Sequence, residues 1–122
     1  MDLKNPSDKQ LVAVIGAGSF GTAVANLLAE NGKVLFYSRR PDAVEIINRE
    51  RVNNGQQIHD NIRATNDLQE ITESCYLMFP SVSSDAFREM MRTMAPMLRP
   101  YHMMIHCTKG FDIKFNVETL ET

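Results

Sequence analysis

The chain has 122 residues, 43% of them hydrophobic and 23% charged, enough for one compact domain with its own core but not for two full-sized ones. A formal net charge of -2 and a pI near 5.9 speak against a nucleic-acid binder, which normally shows a basic patch. No apolar run approaches the roughly 18 residues of a membrane span.

Residues 1–9 form a polar leader without the apolar stretch of a signal peptide. The cysteines, Cys75 and Cys107, have no metal-ligand spacing and fit two free thiols in a reducing, cytoplasmic setting. "QLVAVI" (10–15) is a short apolar run that stops at glycine, the pattern of a strand buried on both faces. A helical pattern follows from Phe20 to Asn31, with Val24, Leu27 and Leu28 on one face and Gly32 as its stop. "KVLFYS" (33–38) is a second strand. "PDAVEIINRERVN" is helical, with Val44, Ile47 and Val52 on one stripe, and "NNGQQIHDN" is a polar loop.

"IRA" (62–64) predicts a short strand, and Asn66 or Asp67 a cap for a brief helix over "LQEITE". "CYLMFP" (75–80) is a strand closed by a proline. "SDAFREMMRTMAPML" places Phe87, Met90, Met91, Met94 and Leu98 at helical spacing, with Met97 nearby, and "YHMMIHC" (101–107) is a further strand. Strand and helix alternate throughout, so the expected fold is α/β: a parallel sheet with helices on both faces. The final crossover, "FDIKFNVETLET", stops before a completing strand, which makes the domain read as truncated. An open sheet edge there would invite pairing between copies, so a homodimer is one expectation.

In "GAGSFG", Gly16, Gly18 and Gly21 satisfy G-x-G-x-x-G between a strand and a helix. Gly16 permits the tight turn, Gly18 lets backbone approach a pyrophosphate, and Gly21 allows close helix–sheet packing. The helix beginning near Ser19 aims unsatisfied N–H groups and its positive dipole end at the phosphates. These features define a Rossmann-type dinucleotide site over residues 10–122; the alternative is a plain strand-to-helix turn.

An NAD site usually ends its second strand with an acid for the ribose 2′-OH. Here the chain reads Tyr37-Ser38-Arg39-Arg40. A guanidinium fork suits a 2′-phosphate through two parallel charge-assisted bonds. The expectation is therefore NADPH, with NADH as the second choice; the competing explanation makes both arginines solvated turn residues.

Several segments, taken in order, carry a resemblance: "VIGAGSFGTAVANLLAENG", "FYSRRPD" with "IINRERVN", "NIRATNDL", "FPSVSSDAFREMM" and "CTKGFD". From about residue 11 to 113 the chain resembles the N-terminal domain of bacterial-type NAD(P)-dependent glycerol-3-phosphate dehydrogenases. The resemblance implies hydride transfer between NAD(P)H and dihydroxyacetone phosphate, giving sn-glycerol 3-phosphate for phospholipid synthesis. It places Ser19 and Phe20 at the pyrophosphate, Arg39 and Arg40 at the ribose phosphate, and Pro80 and Ser81 on the nicotinamide side. Lys109 would meet cofactor and substrate at the carboxyl end of its strand, where an ammonium can polarise a carbonyl. Read from the residues alone, Lys109 is equally well an ordinary solvated lysine, and Pro80-Ser81 a strand stop with a polar turn.

The loop "NNGQQIHDN" departs from the family's aromatic-Leu-Pro pattern, which removes support for a contact from that loop. Phe79 stands where valine is commoner. The family's general acid/base lysine and its grip on glycerol phosphate belong to a second, helical domain, so no catalytic residue is assigned within these residues. His102, His106 and Cys107 are set aside as metal ligands, because i,i+4 on a strand spaces them too widely. His59 has no visible partner in the sequence. The methionines fit adaptable core filling, and Glu118 and Glu121 a solvated helix face. Two other readings compete: another hydroxyacid dehydrogenase of the 6-phosphogluconate-like group, and a dinucleotide-binding module without chemistry.

Overall fold

The structure, a computed structural model, describes residues 11–107; the leader and Lys109 lie outside the described residues. In chain order the elements are β1 (Val12–Ile15), α1 (Ser19–Ala29), β2 (Val34–Tyr37), α2 (Pro41–Glu50), β3 (Val52–Asn53), β4 (Gln56–Gln57), β5 (Ile62–Thr65), α3 (Leu68–Ser74), β6 (Leu77–Pro80), α4 (Ser84–Met94) and β7 (Met103–Met104). Five of the strands form one sheet in the order β5-β2-β1-β6-β7, and every pair in it is parallel.

Side-chain alternation along these strands feeds two cores. Val14, Val34, Phe36 and Phe79 point to the side covered by α1 and α2, where Val24, Ala25 and Ile47 meet them. Ala13, Ile15, Leu35 and Met78 point to the other side, where Ile71 of α3 and Met94 of α4 close over them. Strands flanked by helices on both faces have no solvent side, which is why β1 and β2 read as unbroken apolar runs. Met90, Met91 and Leu98 pack against this second core, as the helical spacing of the methionines predicts.

The strand order reverses once. From β1 the chain runs outward through β2 to β5, then returns to place β6 on the other flank of β1, followed by β7. The loops after β1 and β6 therefore diverge at the carboxyl ends of adjacent strands. A crevice opens at such a switch point in open α/β sheets.

Several local expectations are corrected. Leu27 is 56% exposed, because the face of α1 on the sheet is made of Gly21, Thr22, Val24, Ala25 and Ala29; Leu27 lies about 200° around the helix from Ala25. Gly32 is not the cap of α1. The helix ends at Glu30 in right-handed conformation, its last turn tightened by bonds from Glu30 N to Leu27 O and Asn31 N to Leu28 O. Val52 is not on the α2 stripe, because Arg51 takes a left-handed φ of 61° and ends the helix. The Arg51 guanidinium then donates to the carbonyls of His59 and Ile62 at 2.7 and 2.8 Å, pinning the chain as it leaves.

The polar loop is partly ordered into the antiparallel pair β3–β4. Its turn residues, Asn54 and Gly55, have φ of 51° and 77°. Two successive positive φ values are the signature of a type I′ turn, for which Asn-Gly is the preferred dipeptide. The α4 helix stops at Met94 and continues as a 3₁₀ turn over Ala95–Met97, since Pro96 supplies no N–H. The 101–107 strand shortens to Met103–Met104.

Candidate dinucleotide site

The three glycines of the first turn occupy three different environments. Gly16 has φ +113°, and a Cβ there would sit 2.5 Å from Val82 Cγ1 and 2.7 Å from the Ser81 carbonyl oxygen. It lets the loops after β1 and β6 touch, and Ser81 N donates to Ile15 O at 2.7 Å across that contact. A Cβ on Gly21 would collide with the carbonyl oxygen of Gly16, whereas one on Gly18 would meet nothing within 4 Å. Gly16 and Gly21 thus fold the turn onto itself, and Gly18 presents bare backbone to open space.

Gly18 is also the N-cap of α1, and it supplies no side-chain hydrogen bond to that helix end. A helix start left without a side-chain cap keeps N–H groups available to an anion. The hydroxyl of Thr22 reaches back to donate to Gly18 O at 2.7 Å. This bond ties the first turn closed from the inside.

Two cavities meet at this turn and share Gly18, Ser81, Val82 and Ser83. One, of about 880 Å³, extends past Ser19, Phe20 and Gly21 to Phe87, His106 and Cys107 beyond β7. The other, of about 530 Å³, extends past Tyr37, Ser38, Arg39 and Arg40, with Asn53, Asn54, Leu68, Ala86 and Met90 on its walls. The two cavities adjoin along the four shared residues and make up the cleft at the switch point.

Two cations, Arg39 and Arg40, stand at the β2 end of the smaller cavity, whose lining also includes Glu89. Arg39 and Arg40 are exposed, and Arg40 pairs with Asp42 at 3.0 Å. That hydrogen-bonded guanidinium holds the Asp42 carboxyl below the usual carboxylate range. Burial pushes the Tyr37 phenol up, and the nearby Arg39 charge opposes the shift. At the other end burial raises the Cys107 thiol, with a hydrogen bond from Ser81 acting against it. A raised thiol is a poor nucleophile, so Cys107 serves as apolar wall.

Of the residues singled out from sequence, Gly16, Gly18, Ser19, Phe20, Gly21, Arg39 and Arg40 all line the cleft. Pro80 does not. It is buried at the end of β6, level with Ile15 in the sheet, and Ser81 and Val82 form the wall in its place. Pro80 keeps its carbonyl in the ladder, accepting from Cys107 N at 2.9 Å.

Sequence reasoning missed Asn53, Asn54, Phe87 and His106. The ring of His106 meets that of Phe87 edge-on at 4.4 Å. The other histidines have structural partners. His102 Nδ1 accepts from Arg99 N and its Nε2 reaches Thr72 O, both at 2.8 Å. His59, expected to stand alone, accepts from Asn61 N at 3.0 Å through Nδ1. Among the described residues no group of three or more His, Cys, Asp or Glu side chains could hold a metal ion.

A parallel sheet in this order, with a bare glycine turn at its switch point, defines a Rossmann-type nucleotide-binding domain. Residues 11–121 match the family described as NAD-dependent glycerol-3-phosphate dehydrogenase N-terminus, and the chain belongs to that family. It is 41% identical over 113 residues to the glycerol-3-phosphate dehydrogenase (NAD(P)+) of Saccharophagus degradans, covering 88% of this chain and 32% of that one. The Pseudomonas fluorescens enzyme of the same name is 40% identical over 111 residues, covering 87% and 31%. The crystal structure of glycerol-3-phosphate dehydrogenase from Coxiella burnetii superposes with a TM-score of 0.76 at 31% identity, over 91% of this chain and 37% of that one. The chain therefore spans about a third of the length of the curated relatives it matches.

Proposed function

We propose that this chain is the cofactor-binding portion of an NADPH-preferring oxidoreductase that interconverts dihydroxyacetone phosphate and sn-glycerol 3-phosphate, supplying glycerophospholipid synthesis. The observation that carries the reading is the pair of adjoining cavities at the switch point, with bare backbone at Gly18 where they meet and two arginines lining one of them. Its shape fits an extended ligand of two nucleotide halves joined by a pyrophosphate.

In this reading the N–H groups of the Gly18–Phe20 segment hold the pyrophosphate, favoured by the dipole of α1. Leu68, Met90 and the β2 loop, which line the smaller cavity, would hold the adenosine half, with Arg39 and Arg40 taking its 2′-phosphate. The larger cavity would hold the nicotinamide half, with Phe87, Met91 and Cys107 keeping water from one side. When bound, the dinucleotide would supply the hydride-transfer chemistry. Lys109 steadies the substrate from the segment after β7. The general acid/base lysine belongs to the remaining two thirds of the relatives' length.

The test is a titration of the chain with NADPH and NADH, following the fluorescence of the reduced nicotinamide. NADPH is expected to bind tenfold to a hundredfold more tightly, as one charged hydrogen bond of about 1.5–3 kcal/mol dictates. Arg39→Ala should remove most of that ratio while leaving NADH affinity unchanged. Equal binding of the two dinucleotides by the unaltered chain would reject the 2′-phosphate assignment, and binding of neither would reject the site.

A further inference from the structure

The β3–β4 hairpin does more than connect α2 to β5. Its polar side chains converge on the carbonyl oxygens of the glycine turn. Asn53 Nδ2 donates to Ala17 O and to Thr22 Oγ1, both at 2.9 Å. Asn54 Nδ2 reaches the same Ala17 oxygen at 3.2 Å, and Gln56 Nε2 donates to Ser19 O at 3.0 Å. The hairpin is itself held to α1, because Asn26 donates to Gln57 O at 2.8 Å and accepts from His59 N at 2.9 Å.

We propose that Asn53, assisted by Gln56, is a positioning residue that aims the backbone N–H groups of the glycine turn at the dinucleotide pyrophosphate; this rests on the reading of the cleft given above. In a trans peptide the C=O of one residue and the N–H of the next point in opposite directions, and the described chain has no cis peptide bond. Tying Ala17 O to the hairpin therefore turns Gly18 N–H away from the hairpin. Tying Ser19 O does the same for Phe20 N–H. Without these donors, the Ala17 carbonyl would be free to rotate its negative end toward an approaching phosphate.

Asn53 acts through the backbone, since both hydrogens of its amide nitrogen are already committed to Ala17 and Thr22. The bond to Thr22 continues into Thr22 Oγ1 donating to Gly18 O. One side chain thus governs two consecutive carbonyls of the turn. The contact is made possible by the tight Asn-Gly turn, which folds the hairpin back over the start of α1.

The test compares three ligands on the unaltered chain, Asn53→Ala and Gln56→Ala: NADPH, NADH, and adenosine 2′-phosphate, which carries the ribose phosphate but no pyrophosphate. Asn53→Ala is expected to raise the Kd of both dinucleotides about tenfold, the equivalent of one to two lost hydrogen bonds. The NADPH-to-NADH ratio should stay as it was, with full binding stoichiometry; adenosine 2′-phosphate is compared on Gln56→Ala, where its affinity should not change, because Asn53 itself lines the smaller cavity and Gln56 lines neither. Gln56→Ala, which leaves the turn and Asn53 intact, should raise both dinucleotide Kd values about threefold. A merely structural role would lower the binding-competent fraction for all three ligands alike. Dinucleotide Kd values within twofold of the unaltered chain in both variants, or an equal weakening of adenosine 2′-phosphate by Gln56→Ala, would overturn the proposal while sparing the site. Failure of the unaltered chain to bind either dinucleotide would overturn both.

Discussion

The tolerance of the first turn differs at each glycine, and each difference comes from one contact. Gly18 faces open space, and Gly16 touches the far end of Val82 as well as backbone. At Gly21 the obstacle is the carbonyl oxygen of Gly16, a backbone atom and not the far end of a flexible side chain. A methyl there must push α1 away from β1 or rotate a peptide in the turn. Gly21→Ala is therefore expected to destabilise the chain by about 1–3 kcal/mol, the usual cost of overpacking. It should also abolish measurable dinucleotide binding. Gly18→Ala, which meets no neighbour among the described residues, should leave stability within about 0.5 kcal/mol and still weaken binding, because in the proposed site its methyl would stand between backbone and pyrophosphate. Urea unfolding of both variants beside a cofactor titration checks this, and equal loss of stability in the two would refute it.

Elements on the second face of the sheet owe their starts to single side chains. Asp67 caps α3 by accepting from Gln69 N at 2.9 Å, and Ser83 caps α4 by accepting from Ala86 N at 3.2 Å. Loss of either cap by alanine substitution should cost about 1 kcal/mol. Ser83 also lines both cavities, so Ser83→Ala is expected to weaken the dinucleotide and Asp67→Ala to leave it untouched. Thermal unfolding with and without NADPH separates the two effects. Caps and alternation of this kind are local, and so the main strands, the four helices and the glycine turn were readable from sequence. The hairpin was not, although its Asn54-Gly55 pair was in plain view, because strands of two residues carry no periodicity. Its role was hidden for a further reason: the bonds from Asn53 and Gln56 to the glycine turn join residues more than thirty positions apart. That Ser81 and Val82, and not Pro80, line the cleft was hidden too, since adjacency in the chain says nothing about which neighbour turns inward.

At the scale of the whole molecule, the two cores are sealed from opposite sides of one sheet, and Cys75 sits where α3 hands over to β6 in the second. The residue is 1% exposed, and burial pushes its thiol pKa from an ordinary 9 up to about 12. In the unfolded chain the same thiol ionises near its ordinary value. Between about pH 9 and 12 the folded state therefore binds more protons than the unfolded state, and stability falls as pH rises. The slope contributed by one such group is at most about 1.4 kcal/mol per pH unit. Below about pH 8 both states hold the proton and the slope vanishes. Cys107 and Tyr37 are shifted in the same direction by burial, so the isolating comparison is with Cys75→Ala. Urea unfolding at pH 8, 9 and 10 should show the original chain losing stability faster than this variant above pH 9, and in parallel with it below. Identical slopes would mean that the interior admits the thiolate, and that this side of the sheet is open to water.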